Sequence, residues 1–451
     1  MNVPLPRRDF IRIGGVTLAA SALDLLGTTA ASSSLKKIKG AADQVLFLWL
    51  PGGVTHHESF DPKPDAPTEI RGDIKPIETN VRGMRFAEVM PEMAKQADKI
   101  ALIRSYRSGN DDHFLAQAFA LSGKTNLPGG ILSEPNFGCI VSHQLGGTGG
   151  LPAYIAVPGT TRPGPPNTNE FVPAWLGAKH APFCTGGEPR KKDFQVENLG
   201  FAPEVSGSRF AQRESLRSQI EASLKQAEQN ALHQDMANLY GKAAELLTSP
   251  KVRKAFDVHV ETKAAREKYG ETKIGIRCLL ARRLIESNAR FVMVDYGYDW
   301  GDYNNLWDNH CAPVQNQPPI FKMCKVPYHL PAVDRAFAAL LDDLHKSGRL
   351  KRTLVVYLTE FGRTPKVNSN GGRDHWGHSG SIFFAGAGVK GGQILGATDK
   401  QGGYCTTRSY SPSDAVATVY QAMGIDPHGT IQDREGRPVP ILVNGEAIGV
   451  S

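Results

Sequence analysis

The stretch Leu354-Val355-Val356-Tyr357-Leu358-Thr359-Glu360-Phe361-Gly362-Arg363 decides the fold class of this chain. Its first five residues form a continuous apolar run, which predicts a strand buried on both faces of a sheet. Glu360 and Arg363 follow at once, and Asp374 and His375 come shortly afterwards. Ligands and catalytic groups in open α/β sheets collect at the carboxyl edge of the strands, so these side chains are candidates for a site.

Similar apolar runs recur along the chain and alternate with helical patterns. The predicted strands are 45–50, 100–104, 152–157, 291–294, 354–358 and 382–385, and the predicted helices are 90–97, 114–121, 332–346 and 413–423, with further helices in 208–288. This alternation predicts an α/β fold with a mostly parallel central sheet flanked by helices. We expect one domain over 43–451, with an irregular and helical insertion at 158–290 that shapes specificity.

The first 34 residues have the pattern of an export signal. Arg7-Arg8-Asp9-Phe10-Ile11-Arg12 is a twin-arginine sequence, an interrupted apolar stretch follows over 13–26, and small residues occupy 27–34. The pattern predicts export of the folded chain by the twin-arginine machinery to the periplasm or another extracytoplasmic compartment. A linker is expected at 35–42, after the signal segment. An accidental arginine pair before an amphipathic helix and an uncleaved leader acting as an anchor are the alternatives. Apart from such an anchor, no permanent membrane span is expected.

Charge and cysteine content exclude several classes of protein. The net charge is +7, of which residues 1–34 contribute +1 from three arginines against two aspartates. The remaining excess is spread out and lacks interleaved aromatic residues, so no nucleic-acid partner is expected, although anionic substrates would be attracted weakly. Six cysteines without a Cys-x-x-Cys pair do not form a disulfide scaffold. Cys311 and Cys324 flank a proline-rich loop and are either paired after export or free.

The loop after the first predicted strand is rich in chemistry-bearing side chains. Gly52 and Gly53 allow the backbone to approach a ligand closely. Thr55 is a candidate nucleophile or metal ligand, and a turn with solvated polar residues is the alternative. The other candidates of this loop are His56, His57, Glu58 and Asp61.

Two further loops offer an imidazole beside carboxylates. In Asn110-Asp111-Asp112-His113, one aspartate is expected to cap the helix that follows, while His113 could bind a metal or carry a proton. In Trp307-Asp308-Asn309-His310, Asp308 and His310 can converge on one ion if the chain bends. Asp299 and Asp302 compete for that role, and an ordinary surface loop is an equal alternative.

Asp374 and His375 form the strongest pair, because Glu360 and Arg363 share their edge of the sheet, and His378 is a spare imidazole. Arg363 could instead form a structural ion pair with Glu360. Four loops that each follow a predicted strand therefore carry Asp, Glu and His, and in a parallel sheet those strand ends lie together.

These strings, in this order, resemble the DUF1501 family of exported bacterial proteins, which are similar to sulfatases of the alkaline phosphatase superfamily. The resemblance runs from about Asp43 to Asp399. It rests most specifically on Glu360-Phe361-Gly362-Arg363-Thr364-Pro365 with Gly372-Arg373-Asp374-His375-Trp376 and is supported by Ser59-Phe60-Asp61-Pro62-Lys63-Pro64, Asn110–His113, Ala174-Trp175-Leu176-Gly177, Leu246–Pro250, Trp307–His310, Leu340–Leu344 and Gly391-Gly392-Gln393. It implies an alkaline-phosphatase/sulfatase-like sheet with a metal-centred site and hydrolysis of a sulfate or phosphate ester.

Two departures prevent a transfer of the sulfatase mechanism. The position of the modified Cys or Ser nucleophile falls on His113, without the Pro and Arg of that motif. The Asp-His-Gly string of sulfatases is replaced by Glu360-Phe361-Gly362. The nucleophile therefore remains open between Thr55, water and an unidentified group.

The main hypothesis is an exported, metal-dependent hydrolase acting on an anionic ester, such as one derived from polysaccharide. A divalent ion (zinc, calcium, magnesium or manganese) would be bound by Asp308, His310, Asp374 and His375. Glu360 would be a ligand or base, Arg363 an anion clamp and His113 a proton carrier. The alternative is a non-catalytic exported binding protein that keeps the fold without the nucleophile.

Overall fold

The computed structural model describes residues 38–127, 129–159, 172–196, 199, 246–297, 306–433 and 435–450, together with isolated positions between 208 and 219. The expected leader, the competing aspartates Asp299 and Asp302, and much of the expected insertion lie outside the described residues. Within the described ranges, no helix is long and apolar enough to cross a membrane.

Strands and helices alternate along the described chain. The strands are β1 (Gln44–Trp49), β2 (Pro76–Glu78), β3 (Arg85–Ala87), β4 (Ile100–Ile103), β5 (Tyr154–Val157), β6 (Phe183–Cys184), β7 (Phe291–Asp295), β8 (Thr353–Leu358), β9 (Gly362–Arg363), β10 (His375–Trp376), β11 (Ile382–Ala385), β12 (Gln393–Leu395), β13 (Thr430–Gln432) and β14 (Pro438–Pro440). The α-helices are α1 (Thr68–Arg71), α2 (Pro91–Ala94), α3 (His113–Ser122), α4 (Phe137–Leu145), α5 (Pro250–Phe256), α6 (Lys263–Tyr269), α7 (Lys273–Glu286), α8 (Ile320–Met323), α9 (Leu330–Lys346) and α10 (Pro412–Ala422). Short 3-10 helices cover Ala97–Lys99, Ala174–Leu176, Ala178–His180, Val258–Val260, Pro313–Gln315 and Arg349–Lys351.

The central sheet has the strand order β12-β4-β11-β8-β1-β7-β5-β6. β1 lies in its middle and pairs in parallel with β7 and β8, so that Leu46 lies opposite both Val292 and Val355. β5 continues the parallel pairing to β7 and β6. β11 runs antiparallel to β8 and β4, while β4 and β12 are parallel. The expected mixed α/β fold with a mainly parallel sheet flanked by helices is therefore confirmed.

Alternation along β1 assigns its side chains to two cores. Leu46 and Leu48 belong to the core that contains the apolar faces of α7 and α9. Val45, Phe47 and Trp49 belong to the opposite core, which contains residues of α3, α4 and α10. Because both faces are covered, β1 and β8 read as continuous apolar runs, as expected for a buried parallel sheet.

The predicted helix over 90–97 is too long, and two strands of the central sheet, β6 and β12, were not predicted. α2 ends at Ala94, and the 3-10 helix Ala97–Lys99 leads into β4 because the chain must enter the sheet at Ile100. β6 and β12 are edge strands of two and three residues, and they lack a continuous apolar run. Edge strands that pack on few neighbours leave little trace in the hydrophobic pattern.

The strands β1, β4, β7 and β8 all end at the same edge of the sheet, because the pairings make them mutually parallel. The loop after β1 carries Thr55 to Asp61, and the loop after β4 leads to α3. Asp308 follows β7 and Glu360 follows β8. This edge is therefore where the candidate side chains can meet.

Candidate metal centre

Three imidazoles surround one carboxylate oxygen. The Nε2 atoms of His113, His310 and His375 lie 3.2, 2.9 and 3.0 Å from Oδ1 of Asp308. The Nε2 atoms of His310 and His375 are 2.8 Å apart. One ligand atom from each of His113, Asp308 and His375 lies within 4.8 Å of the other two. Three imidazole nitrogens and one carboxylate oxygen, from three separate segments of the chain, thus lie close together, and we call these four residues the histidine–aspartate cluster.

The second nitrogen of each ring contacts an acceptor outside the cluster. Nδ1 of His113 lies 2.7 Å from Oε1 of Glu360, and Nδ1 of His310 lies 2.8 Å from Oδ1 of Asp374. Nδ1 of His375 lies 2.7 Å from the carbonyl oxygen of Asp111. An ionised carboxylate or a carbonyl can only accept, so a ring that hydrogen-bonds through Nδ1 carries a hydrogen there. A neutral ring in that tautomer directs the lone pair of Nε2 toward Asp308, and a protonated ring directs a second N–H toward the same carboxylate.

This arrangement fits a metal ion. Nε2 of His113 is buried and makes no hydrogen bond to any described residue. Three lone pairs and a carboxylate oxygen facing one another repel unless a cation or added protons lie between them. Ligand atoms about 2 Å from one tetrahedral ion lie about 3.3 Å from each other. The three N–O distances and the distance between His310 and His375 are close to this value, and His113, Asp308 and His375 form the group whose atoms all lie within 4.8 Å of one another. Imidazole and carboxylate ligands suit zinc or another divalent transition metal.

α3 and β8 fix the position of the first imidazole. α3 begins at His113, and the carboxylate of Asp112 caps it by accepting a bond of 3.0 Å from the amide of Leu115. Buried Glu360 accepts hydrogen bonds from the amide of Gly52 at 2.8 Å and from Nε2 of Gln117 at 3.0 Å, besides its contact with His113. Glu360 thus orients His113 and has little room for a further partner. Gln117 was not predicted, although a glutamine between alanines on an apolar helix face was the available signal.

Arg363 is completely buried and directed inward. Its Nη2 donates to Oδ1 of Asp308 at 2.8 Å, and its Nε donates to the carbonyl oxygen of Gly53 at 2.7 Å. Further bonds reach the carbonyl oxygens of Gly52, Trp307 and Arg373. The sequence suggested that Arg363 is either an anion clamp or the partner of Glu360 in a structural ion pair. The structure shows a structural ion pair, but its carboxylate is that of Asp308 and not that of Glu360.

The charges of the cluster shift the pKa values in opposite directions. Burial would raise the pKa of Asp308, but Arg363 and the three imidazoles hold it far below its usual range. Burial would lower the pKa of His113, but the neighbouring carboxylates of Asp308 and Glu360 raise it to about 9. The pKa of His375 is lowered, mainly because the ring is buried. The negative potential that protonates His113 is the same potential that would attract a metal cation.

Thr55 belongs to a separate buried group. Its Oγ1 donates to Oε2 of Glu58 at 2.5 Å, and Glu58 accepts bonds from Nη2 and Nε of Arg373 at 2.5 and 3.0 Å. Arg373 also donates to the carbonyl oxygen of Ile70 at 2.6 Å. This pair connects the loop after β1 to the residue that precedes Asp374 and His375. Arg373 was not singled out from the sequence, although it stands within the Gly-Arg-Asp-His string.

The remaining loop candidates contact residues outside the cluster. Nε2 of His56 and of His57 each lie 2.8 Å from a carbonyl oxygen, those of Gly402 and Gln401. Asp61 pairs with Lys63 at 2.9 Å and with Arg104 at 3.3 Å, and His378 packs its ring against Trp376 and Tyr404. Cys311 and Cys324 are free and buried.

The fold and the site define an α/β protein with a histidine–carboxylate centre at the carboxyl edge of its main sheet. The chain belongs to the protein family of unknown function DUF1501, whose model matches residues 42–449. No curated protein matches the chain. Three solved structures resemble it at 11 to 13% identity. The match to Ps i-CgsB covers 84% of this chain and 72% of the other chain, with a TM-score of 0.40. The match to the Pseudoalteromonas sulfatase PsFucS1 covers 85% of this chain and 68% of the other (TM-score 0.33), and the match to the phosphonate monoester hydrolase of Silicibacter pomeroyi covers 90% and 76% in the same order (TM-score 0.36). At these TM-scores, the solved structures carry no function over to this chain.

Proposed function

We propose that this chain is an exported, metal-dependent hydrolase of sulfate or phosphate esters. The observation that carries the proposal is the convergence of three Nε2 atoms on Oδ1 of Asp308, with each Nδ1 beside an acceptor. A carboxylate or carbonyl behind a ligating imidazole is the usual outer partner in metal sites, because it fixes the tautomer and strengthens the ligand.

The residues divide into ligands and positioning groups. Asp308, His113, His310 and His375 hold the ion, so that His113 takes the place of Asp374 in the expected ligand set. Asp374, expected as a ligand, orients His310, and Asn368 donates a bond of 2.9 Å to the same oxygen of Asp374. A bound divalent ion would supply Lewis acidity toward an ester oxygen.

Water is the nucleophile in this proposal. The hydroxyl of Thr55 is buried and donates to Glu58, so Thr55 holds the loop rather than attacking an ester. The side chain of Asp374 is 54% exposed at the rim of the cluster. Asp374 is therefore the carboxylate that can accept a proton from a water molecule on the solvent side.

The substrate class and the compartment rest on the sequence. The family resemblance and the spread positive charge favour an anionic sulfate or phosphate ester, such as one derived from polysaccharide. The twin-arginine sequence favours periplasmic or other extracytoplasmic export. Replacing Arg7 and Arg8 by lysine should leave the chain in the cytoplasm, and secretion of the double variant at the normal level would contradict this assignment.

The direct test measures bound metal by mass spectrometry, together with hydrolysis of p-nitrophenyl sulfate and phosphate. Wild-type protein should contain stoichiometric metal and hydrolyse one of the esters. His310→Ala should lose both properties and remain folded, because the side chain of His310 is partly exposed. Asp98→Ala, a surface substitution on the 3-10 helix before β4, is the matched control. Wild-type protein without metal after reconstitution would exclude the hydrolase.

A second candidate is a non-catalytic, metal-binding protein. It is favoured by the internal hydrogen bonds that engage both Thr55 and Arg363, since neither group is presented to a substrate. Stoichiometric metal without hydrolysis of any sulfate or phosphate ester would support this candidate.

A further inference from the structure

A cavity of about 340 Å³ lies beside the loop after β1. Its lining comes from three parts of the chain, which are His57, the segment 62–64 and the segment 71–76. None of the lining residues belongs to the histidine–aspartate cluster. The volume falls within the range of about 300–1,000 Å³ that is usual for small-molecule sites.

The lining carries excess positive charge. Lys63, Arg71 and Lys75 line the cavity, against the single carboxylate of Asp73. Arg71 and Lys75 are exposed, and within the described residues neither forms an ion pair with a carboxylate. Lys63 is the exception, because it pairs with buried Asp61 at 2.9 Å. A concave surface with two uncompensated cations attracts an anion, and hydrogen bonds from such cations are stronger than neutral ones.

The apolar part of the lining also restricts which ligand the cavity can bind. Pro62, Pro64 and Pro76 supply stiff apolar surface, which loses no side-chain entropy when a ligand binds. The carboxylate of Asp73 is an acceptor that is complementary to hydroxyl groups. A ligand that matches both the walls and the charges has an apolar ring face, several hydroxyls and one anionic substituent.

One residue of the lining is a neutral histidine. His57 is buried, and burial together with neighbouring His56 and Arg373 holds its pKa well below the usual value. Its Nε2 donates to the carbonyl oxygen of Gln401 at 2.8 Å, which fixes the ring. The anionic substituent is therefore expected at the exposed rim, beside Arg71 and Lys75, and the ring is expected against the prolines.

We propose that this cavity binds a small hydroxylated anion of the sugar phosphate or sugar sulfate class. The assignment is independent of the proposed hydrolase, because it uses no residue of the histidine–aspartate cluster. The two ester types share a tetrahedral anion on a polyol ring, and separate binding measurements distinguish them.

The test is isothermal titration calorimetry of the full chain with glucose 6-phosphate, glucose 6-sulfate, inorganic phosphate and glucose. One of the two sugar esters should bind more tightly than inorganic phosphate, and glucose should not bind. Arg71→Ala/Lys75→Ala should weaken binding of that ester by about tenfold or more. Both substituted side chains are exposed, so the variant should fold normally.

Two further variants separate the cavity from the metal centre. Lys95→Ala/Lys351→Ala removes two exposed lysines that do not line the cavity and should bind the ester as the wild type does. His310→Ala should also retain binding, since His310 belongs to the cluster. Equal binding by the wild type and Arg71→Ala/Lys75→Ala would overturn the proposal, as would binding that His310→Ala alone abolishes or the absence of binding by both esters.

Discussion

Nη2 of Arg363 lies 2.8 Å from Oδ1 of Asp308, the same oxygen that the three imidazoles of the cluster surround. A fully buried guanidinium therefore shares this carboxylate with any metal ion that binds there. The remaining bonds of Arg363 reach backbone carbonyls of three different loops. This side chain is thus a brace between the loops, and its charge also keeps Asp308 ionised.

We predict that Arg363→Met destabilises the fold. The substitution leaves several buried carbonyl oxygens and the Asp308 carboxylate without their donor, and breaking a buried pair from one side costs about 3–5 kcal/mol. Urea denaturation followed by circular dichroism measures the free energy of unfolding. If Arg363 is instead an anion clamp, the variant will keep its stability and show a raised KM for the ester.

Glu360→Gln is predicted to weaken metal binding by about 10- to 100-fold. Glu360 holds the hydrogen of His113 on Nδ1. A glutamine side chain has one acceptor oxygen and one NH2 group, and the NH2 group cannot accept the hydrogen bond that the amide of Gly52 donates. Metal affinity is measured by competition with a chromophoric chelator. The exposed substitution Glu78→Gln serves as the control and should leave the affinity unchanged. Unchanged affinity in Glu360→Gln would show that Glu360 does not position His113.

Asp61 is predicted to contribute to stability in a pH-dependent way. Burial would raise its pKa, but Arg104 and Lys63 lower it below the ordinary value of 3.8. The folded state therefore binds this proton more weakly than the unfolded state. Its contribution is complete above about pH 4 and is lost as the pH falls through the lower pKa of the folded state.

Asp61→Asn should accordingly lower the free energy of unfolding at pH 7 by about 2–3 kcal/mol, because two cations lose their buried partner. The difference between wild type and variant should shrink below pH 4. Thermal unfolding at a series of pH values measures this difference. A difference that stays constant down to pH 2 would contradict the assigned ion pairs.

The sequence predicted the sheet well because its central strands are buried on both faces. The runs at 45–50 and 354–358 are apolar at every position, and the structure places β1 and β8 there. The cluster was harder to predict because its chemistry depends on distant contacts. Nδ1 of His375 is fixed by the carbonyl oxygen of Asp111, which no local pattern reveals. Likewise, the partner of Arg363 proved to be Asp308, which lies in another loop.

The last prediction concerns Gly372, whose backbone packs closely against the backbone of Asn309 and His310. A Cβ at this position would lie 2.2 Å from the carbonyl carbon of His310 and 2.5 Å from the carbonyl oxygen of Asn309. These are backbone atoms that cannot rotate away, so Gly372→Ala must displace the segment that carries His310. Such overpacking costs about 1–3 kcal/mol. We therefore expect the variant to fold but to bind metal about tenfold more weakly or worse.

Gly449→Ala is the matched control, because a Cβ there would meet no atom within 4 Å. Metal content by mass spectrometry and thermal unfolding should be measured on both variants. Loss of metal from Gly372→Ala alone would tie metal binding to the position of His310, without changing any candidate ligand. Full metal content in Gly372→Ala would mean that His310 is not required, and the ion would then be held by His113, Asp308 and His375.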